Sequence, residues 1–318
     1  MVAYIIRRLI QAAIVIVLAS LLVFSLMRML PGDPLLLFIA ANQLDQITEE
    51  GMAKLRTEFG LDQPYPVQYV RWLSGMSHGD FGRSIFYHDK VGKLMGERLP
   101  VTLYLGVLAL ILSSIIGISA GLVCALRRGK ILDTIVTSIA NFGISVPIFW
   151  LGILLIYLLG LYLGWLPIQG YTSPFTDFGM STRKLVMPVI CLSVVALASN
   201  TRQTRSSMLE VIQMDYIRTA WSKGLKERTI VIRHILKNGL IPVITLIGIQ
   251  VSHIIGGSVL IETVFNIPGM GRMMVDAVFS HDYPIVQGGC VLIAAMVVLT
   301  NLVVDVSYGW LDPRIRYG

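Results

Sequence analysis

The chain has 318 residues, of which 55% are hydrophobic and only 14% are charged, and its formal net charge is +7. Because a soluble domain carries about 25% charged residues, this composition excludes an ordinary soluble globular protein. A basic balance in a soluble protein would suggest a nucleic-acid partner. Here the basic residues lie between long apolar runs, so we expect them to reflect membrane topology and expect no nucleic-acid partner.

Six apolar runs are long enough, or nearly long enough, to cross a bilayer as helices. A helical span needs about 20 apolar residues, and hydrocarbon offers unpaired backbone groups no other partner. The chain is therefore predicted to be an all-α integral membrane protein. Its six transmembrane helices are predicted at residues 9–27, 101–126, 134–165, 185–201, 238–261 and 283–304. The third run is longer than one straight span requires, and its Pro147 predicts a kink.

Basic residues give the predicted orientation. Arg7 and Arg8 precede the first run as in a signal peptide, but the run is too long and no small-residue cleavage site follows it. We interpret residues 1–30 as a retained transmembrane segment. With the N-terminus inside, the inside segments contain 15 of the 26 Lys and Arg residues. The positive-inside rule therefore predicts that both termini are cytoplasmic, with residues 309–318 as a tail.

A long extracytoplasmic insertion, residues 31–98, is predicted between the first two spans. It begins with "PGDP", where Pro31 and Pro34 should stop the first helix. A helix is predicted at residues 48–59, because Thr48 precedes two glutamates in its first turn. We expect a small helical subdomain outside the membrane, serving as a lid, a docking platform or a packing element.

Basic residues also concentrate in residues 206–237, which we call the basic segment. From residue 215 the sequence reads "DYIRTAWSKGLKERTIVIRHILKNGLIPV". Its pattern predicts two short helices, at 208–223 and 227–237, joined at Gly224 and lying across the cytoplasmic face. Pro242 follows where the chain returns to apolar sequence. Composition alone favours a solvated amphipathic hairpin at the lipid phosphates.

Signals for catalysis or metal binding are absent from the sequence. It contains no G-x-x-x-x-G-K-[ST] phosphate-binding loop and no H-E-x-x-H pair, and among its five histidines only His253 falls inside a predicted span. Cys124, Cys191 and Cys290 lie in or beside spans without the spacing of ligand pairs, so we interpret them as packing residues. A membrane-embedded enzyme would need a nucleophile or acid pair, and an ion-coupled carrier would need ionisable residues inside several spans. The sequence shows neither feature, so both classes of protein are disfavoured.

Five stretches carry a family resemblance. Arg218-Thr219-Ala220, followed by Gly224, Ile235 and Pro242, resembles the EAA loop of ABC-importer permeases. Arg218 and Thr219 stand where the general motif has Glu and Ala, and "DYIRTA" with "KGL" is similar to the version in the peptide/nickel branch. The stretches "RMLPGDP", "FGLDQPYPVQY", "ETVFNIPGMGRMMVDAV" and "LDPRIRYG" resemble, in the same order, the first permease subunit of dipeptide and oligopeptide importers.

The resemblance covers nearly the whole chain and implies a type I ABC importer permease fold with a core at 99–308. It implies a multi-pass permease of a bacterial or archaeal inner membrane that translocates di- or oligopeptides by alternating access. The same branch also moves nickel complexes, glutathione or oligosaccharides. The implied partners are a homologous second permease, two ABC ATPases that hold ATP and Mg, an extracytoplasmic solute-binding protein and membrane lipid. No cofactor is implied in this chain.

The resemblance also implies an ATPase-coupling role for the basic segment. The small Ala220 suits packing into a partner's groove, Gly224 allows close approach of the backbone, and basic residues such as Lys223 and Arg228 would pair with an acidic rim. The implied coupling residues are Asp215, Tyr216, Arg218, Thr219, Ala220, Lys223, Gly224 and Pro242. The residues that line the substrate passage are not predicted.

Overall fold

Helices form the regular structure of the chain, as its long apolar runs require. A computed structural model describes residues 2–29, 49–58 and 62–311. Its helices are α1 (Val2–Met29), α2 (Glu49–Glu58), α3 (Tyr65–Ser77), α4 (Val91–Leu126), α5 (Ile131–Ser145), α6 (Ile148–Leu155), α7 (Phe178–Ile212), α8 (Asp215–Ser222), α9 (Glu227–Thr229), α10 (Lys237–Gly239), α11 (Ile241–Val264), α12 (Met270–Phe279) and α13 (Tyr283–Leu311). Two π-helical turns, Ile156–Tyr162 and Ile230–Leu236, extend α6 and α9.

Membrane-spanning candidates agree with the predicted number. Five helices of the described chain are long and apolar enough to cross a bilayer: Ile6–Met29, Val91–Leu126, Phe178–Ile212, Ile241–Val264 and Tyr283–Val304. The bent pair Ile131–Ser145 and Ile148–Tyr162 makes a sixth if it is counted as one span. The prediction of an all-α membrane protein is therefore confirmed.

The third predicted span differs most from its prediction. Pro147 was expected to kink one helix, but the chain breaks there into α5 and α6, which are bent by 103°. α5 ends at Ser145, and Val146 is extended with φ −83° and ψ 126°. Because a proline disfavours the helical conformation of the residue before it, the helix ends at this point. Pro147 then precedes the first turn of α6.

Several predicted boundaries are also wrong. The apolar run at 185–201 is only the middle of α7, because polar residues continue the helix on both sides and the carboxylate of Asp177 caps its start, accepting from the backbone N of Met180 at 2.9 Å. The single helix predicted at 208–223 is two helices, since α7 ends at Ile212 and the extended Met214 precedes α8. The predicted boundary between the insertion and the core, at residues 98 and 99, lies within α4 and stays a prediction.

One compact unit comprises Val2–Val101 with Gly269–Leu299. In it α3 packs on α1, where the Phe24 ring lies 5.4 Å from that of Tyr69 and 5.9 Å from that of Trp72, measured between centroids. The predicted helix at 48–59 is confirmed as α2. Thr48, Pro31 and Pro34 lie outside the described residues.

The start of α13 is tied to the turn that precedes α4 within this unit. The fully buried carboxylate of Asp282 accepts hydrogen bonds from Ser84 Oγ at 2.5 Å and from the backbone N of Phe86 at 3.0 Å. Buried Val91 and Ile285 belong to the hydrophobic cluster of this unit. The last part of the predicted insertion is therefore fixed to the last span by a buried carboxylate.

The second unit contains Thr102–Pro268 and the end of α13. Its α4 and α7 approach each other closely, because a Cβ added at Gly117 would lie 2.6 Å from Asn200 Cβ, and one at Gly121 would lie 2.5 Å from Thr204 Cβ. Small residues permit such contact between membrane helices. The free cysteines Cys124 and Cys191 are buried in these helices, and Cys290 of the other unit is partly buried.

Candidate functional site: the basic segment

The helix α8 is anchored by one apolar edge. Ile217 is fully buried and Ala220 is nearly so. Their spacing of three positions places both side chains on one face of the helix. That face packs on a cluster formed by Ala125, Met208, Ile230 and Ile235. The basic segment is therefore not a free loop, since its short helix is part of a hydrophobic core.

The opposite face of α8 is exposed and carries both charged and apolar side chains. Asp215 and Arg218 form an ion pair at 3.6 Å, with the Asp215 side chain 97% exposed, and such a pair contributes little to stability. Large apolar side chains are exposed around it. These are Met214, Tyr216, Trp221 and Leu225. We call these four residues with Arg218, Lys223 and Lys226 the α8 surface.

A Schellman motif ends α8. The backbone N of Gly224 donates to Trp221 O at 2.9 Å, and the N of Leu225 donates to Ala220 O at 3.4 Å. This motif needs a residue in the left-handed conformation just after the helix, and Gly224 has φ +70°. A Cβ added there would meet no atom of this chain within 4 Å. Gly224 therefore serves the turn, and the space beside it is open.

The chain between the basic segment and α11 is hydrogen-bonded to α8 and to α7. Asn238 Nδ2 donates to Tyr216 Oη at 3.1 Å, which joins the end of the segment to α8. Ser207 Oγ donates to Gly239 O at 2.7 Å, which joins it to α7. Gly239 lies against the Met208 side chain, which would have to shift for a larger residue, because an added Cβ would lie 2.5 Å from Met208 Sδ. α8 is thus held from both sides.

A buried ion pair ties α5 to α7 near the basic segment. Arg205 donates from Nε to Asp133 Oδ1 at 2.7 Å and from Nη2 to Oδ2 at 2.9 Å. Only 6% of the Asp133 side chain is exposed, and its Oδ2 also accepts from the backbone N of Gly129 at 3.0 Å. No local pattern predicted this pair, because its members lie 72 positions apart.

We expect Asp133→Ala to destabilise the protein by about 3 kcal/mol, because it leaves the guanidinium of Arg205 without its bidentate partner in a partly buried place. The matched control is Asp215→Ala, which removes an exposed carboxylate and should cost less than about 1 kcal/mol. The midpoint of thermal unfolding in detergent measures both. Equal midpoints for the two variants would contradict a stabilising role for the buried pair.

The structure brings most of the predicted coupling residues together. Asp215, Tyr216, Arg218, Thr219, Lys223 and Gly224 all lie exposed on or beside α8. Ala220 is buried against this chain's own residues, so its predicted packing into a partner's groove stays a prediction. Pro242 lies in the first turn of α11 rather than in the turn around α8. The exposed apolar residues of the α8 surface were missed, although Trp221 and Leu225 stand in the quoted stretch.

The chain matches two regions of one family of transport proteins. Residues 117–317 match the family described as the binding-protein-dependent transport system inner membrane component. Residues 1–106 match its N-terminal region. The chain belongs to this family. It is therefore a multi-pass inner-membrane permease, and the basic segment lies within the matched residues 117–317.

Curated relatives match the permease over its full length. It is 43% identical to a probable peptide ABC transporter permease of Sinorhizobium fredii, with 99% of both chains covered. It is 42% identical to a putative peptide transport system permease of Brucella abortus, with 100% of both covered. It is 38% identical to the dipeptide transport system permease protein DppB of Escherichia coli K12, with 100% of this chain and 99% of that one covered.

A solved transporter shares the fold of the permease. The MetNI methionine ABC transporter in an inward-facing conformation matches with a TM-score of 0.57 at 19% identity. The match covers 69% of this chain and 96% of the solved one. The type I ABC importer permease fold implied by the sequence is therefore confirmed.

Proposed function

We propose that this permease is the first membrane subunit of an ATP-driven importer that translocates di- or oligopeptides by alternating access. A homologous second permease completes the passage, and a solute-binding protein delivers the cargo at the extracytoplasmic side, where residues 31–98 meet it. Both termini lie in the cytoplasm. The relatives support the substrate class, since all three are named as peptide or dipeptide permeases.

ATP hydrolysis belongs to partner subunits in this proposal. The sequence has no phosphate-binding loop of the G-x-x-x-x-G-K-[ST] type, so two ABC ATPases supply the energy together with ATP and Mg. Their motion must then cross a protein–protein contact. A rigid element with two arrangements transmits such motion, whereas a flexible loop absorbs it.

The α8 surface is the observation that carries the proposal. Exposed apolar side chains rimmed by polar ones mark contact sites for proteins, and Tyr216, Trp221 and Leu225 are exposed among basic residues. The helix beneath them is fixed by Ile217 and Ala220 in the hydrophobic cluster. An apolar contact on a braced helix, with Arg218 and Lys223 facing an acidic rim, suits docking of an ATPase.

Crosslinking tests the proposed contact. In a chain whose three native cysteines are replaced by alanine, Lys223→Cys should crosslink to an ATPase subunit in native membranes, because Lys223 lies exposed at the end of α8. The matched control is Lys130→Cys, an exposed lysine in the turn before α5, which should give much less product. Mass spectrometry identifies the partner. Recovery of the Lys223→Cys chain without an ATPase would contradict the coupling role.

A further inference from the structure

Two adjoining cavities run along one face of α7. The first has a volume of about 490 Å³ and lies among α6, α7 and α11. The second has a volume of about 500 Å³ and lies beside α5 and α7. Ser199 and Leu246 line both cavities. We call them the apolar chamber and the basic chamber.

The α7 wall is continuous through both chambers. Besides position 205, its lining positions are 192, 195, 196, 199, 202, 203 and 206. Steps of three and four residues keep them on one face of the helix. At 1.5 Å per residue, the distance from position 192 to position 206 is about 21 Å, a large part of a hydrocarbon core of about 30 Å. The two chambers therefore follow the membrane-crossing direction of one helix.

The apolar chamber has few polar groups. α11 lines it with Leu246, Ile249, Gln250, His253, Ile254 and Gly257, again on one helical face. Only Ser199, Gln250 and His253 bring polar side chains to its described lining, and that lining has no Asp, Glu, Lys or Arg. Such walls suit an apolar group accompanied by a small number of hydrogen bonds.

Gln250 provides an unused hydrogen-bond acceptor at this chamber. Its Nε2 donates to Asn200 Oδ1 at 3.0 Å and to Ala196 O at 3.3 Å. Because a backbone carbonyl can only accept, this contact fixes which end of the amide is the nitrogen. Gln250 is only 5% exposed. Its Oε1 has no hydrogen-bond partner within residues 2–29, 49–58 and 62–311. A buried acceptor of this kind calls for a donor that the described part of the chain does not supply.

The basic chamber adds a positive charge. Arg202, Gln203, Arg205 and Ser206 line it. Arg205 is occupied by Asp133. Arg202 is exposed, and among the described residues it has no ion-pair partner. A guanidinium with free donors binds carboxylates well.

We infer that the two chambers form this subunit's part of the substrate path and bind a short peptide in a fixed order. An apolar side chain occupies the apolar chamber, a backbone N–H donates to Gln250 Oε1, and the C-terminal carboxylate meets Arg202. Ala196, which Gln250 contacts, lies about 9 Å along the helix from Arg202, close to the length of two or three extended residues. The inference rests on the proposed peptide transport and assigns the contacts within it.

Thiol labelling tests whether the chambers are a path. The complete transporter is reconstituted in vesicles with the three native cysteines replaced by alanine. Val195→Cys places a thiol in the apolar chamber, and a charged methanethiosulfonate reagent should block dileucine uptake by this variant, with protection by excess dileucine during turnover. The matched control is Leu260→Cys, an exposed residue of α11 outside both cavities, whose uptake should not change.

Two further substitutions test the contacts. We expect Gln250→Met to lower the initial rate of dileucine uptake about two- to tenfold, the effect of one lost hydrogen bond. Arg202→Gln should lower it about ten- to hundredfold, the effect of one lost hydrogen bond to a charge. Arg128→Gln, outside both chambers, is the control. If wild-type vesicles import no dileucine, the proposed function fails. If they import it and Val195→Cys behaves as Leu260→Cys, or Arg202→Gln as Arg128→Gln, the inference alone is overturned.

Discussion

Gly224→Asp is expected to reduce peptide uptake at least tenfold while the permease is inserted and folded in normal amount. A side chain at this position meets no atom of the chain within 4 Å, so the core beneath α8 stays intact. Asp tolerates the left-handed conformation that φ +70° requires better than most residues. The change therefore acts outside the chain, where a carboxylate beside Lys223 and Lys226 disturbs the α8 surface. ATP hydrolysis should continue without driving uptake.

The measurement compares dileucine uptake, ATP hydrolysis and the amount of permease in reconstituted vesicles. The matched control is Gly129→Asp. Gly129 also has a positive φ of +76° and open space around its Cβ position, and it stands between Arg128 and Lys130, but it lies away from α8 in sequence. Normal uptake by Gly224→Asp, or an equal loss of uptake in both variants, would contradict a coupling role for the turn at Gly224.

Gly121→Leu should prevent formation of the folded permease. A Cβ at this position lies 2.5 Å from Thr204 Cβ and 2.6 Å from Thr201 O. The carbonyl belongs to the backbone of α7 and cannot rotate away, so α4 and α7 must separate. Overpacking of a well-packed core costs about 1–3 kcal/mol, and more where the backbone must move. The larger cost applies here, because Leu adds three carbons beyond Cβ to the contact.

Size-exclusion chromatography in mild detergent measures this effect as loss of the monodisperse peak. Gly96 supplies the control on the same helix α4, because an added Cβ there meets nothing within 4 Å. Gly96→Leu should be neutral or slightly stabilising, since Leu favours helix over Gly by about 0.8–1 kcal/mol. A normal elution profile for Gly121→Leu would show that α4 and α7 do not pack closely at this point.

The apolar runs predicted the spans, because a helix that crosses the lipid must be apolar. The hydropathy pattern did not predict where each helix ends. α7 continues through polar residues on both sides of its apolar middle, and hydropathy does not register this extension. Pro147 predicted a disturbance of the third run. The bend of 103° between α5 and α6 depends on how each half packs, which a single sequence does not contain.

The site was predictable where it depends on neighbouring residues. The turn at Gly224 and the exposed basic residues follow from the pattern around them. The burial of Ala220 in the cluster with Met208 and Ile230 depends on elements that meet only in three dimensions, so the sequence did not predict it. The chambers were not predictable for the same reason, since Gln250 and Arg202 come from separate helices and neither belongs to a recognisable motif.

The hydrogen bonds at the two ends of the basic segment have a mechanical consequence. Ser207 of α7 donates to Gly239 of α10, and Asn238 of α10 donates to Tyr216 of α8, just before α11 begins. A force applied to α8 is therefore transmitted to both α7 and α11 and is not absorbed by a flexible loop. These two helices are the walls on either side of the apolar chamber. If the proposed ATPase tilts α8, both helices would tilt with it, and the width of the apolar chamber at Gln250 would change.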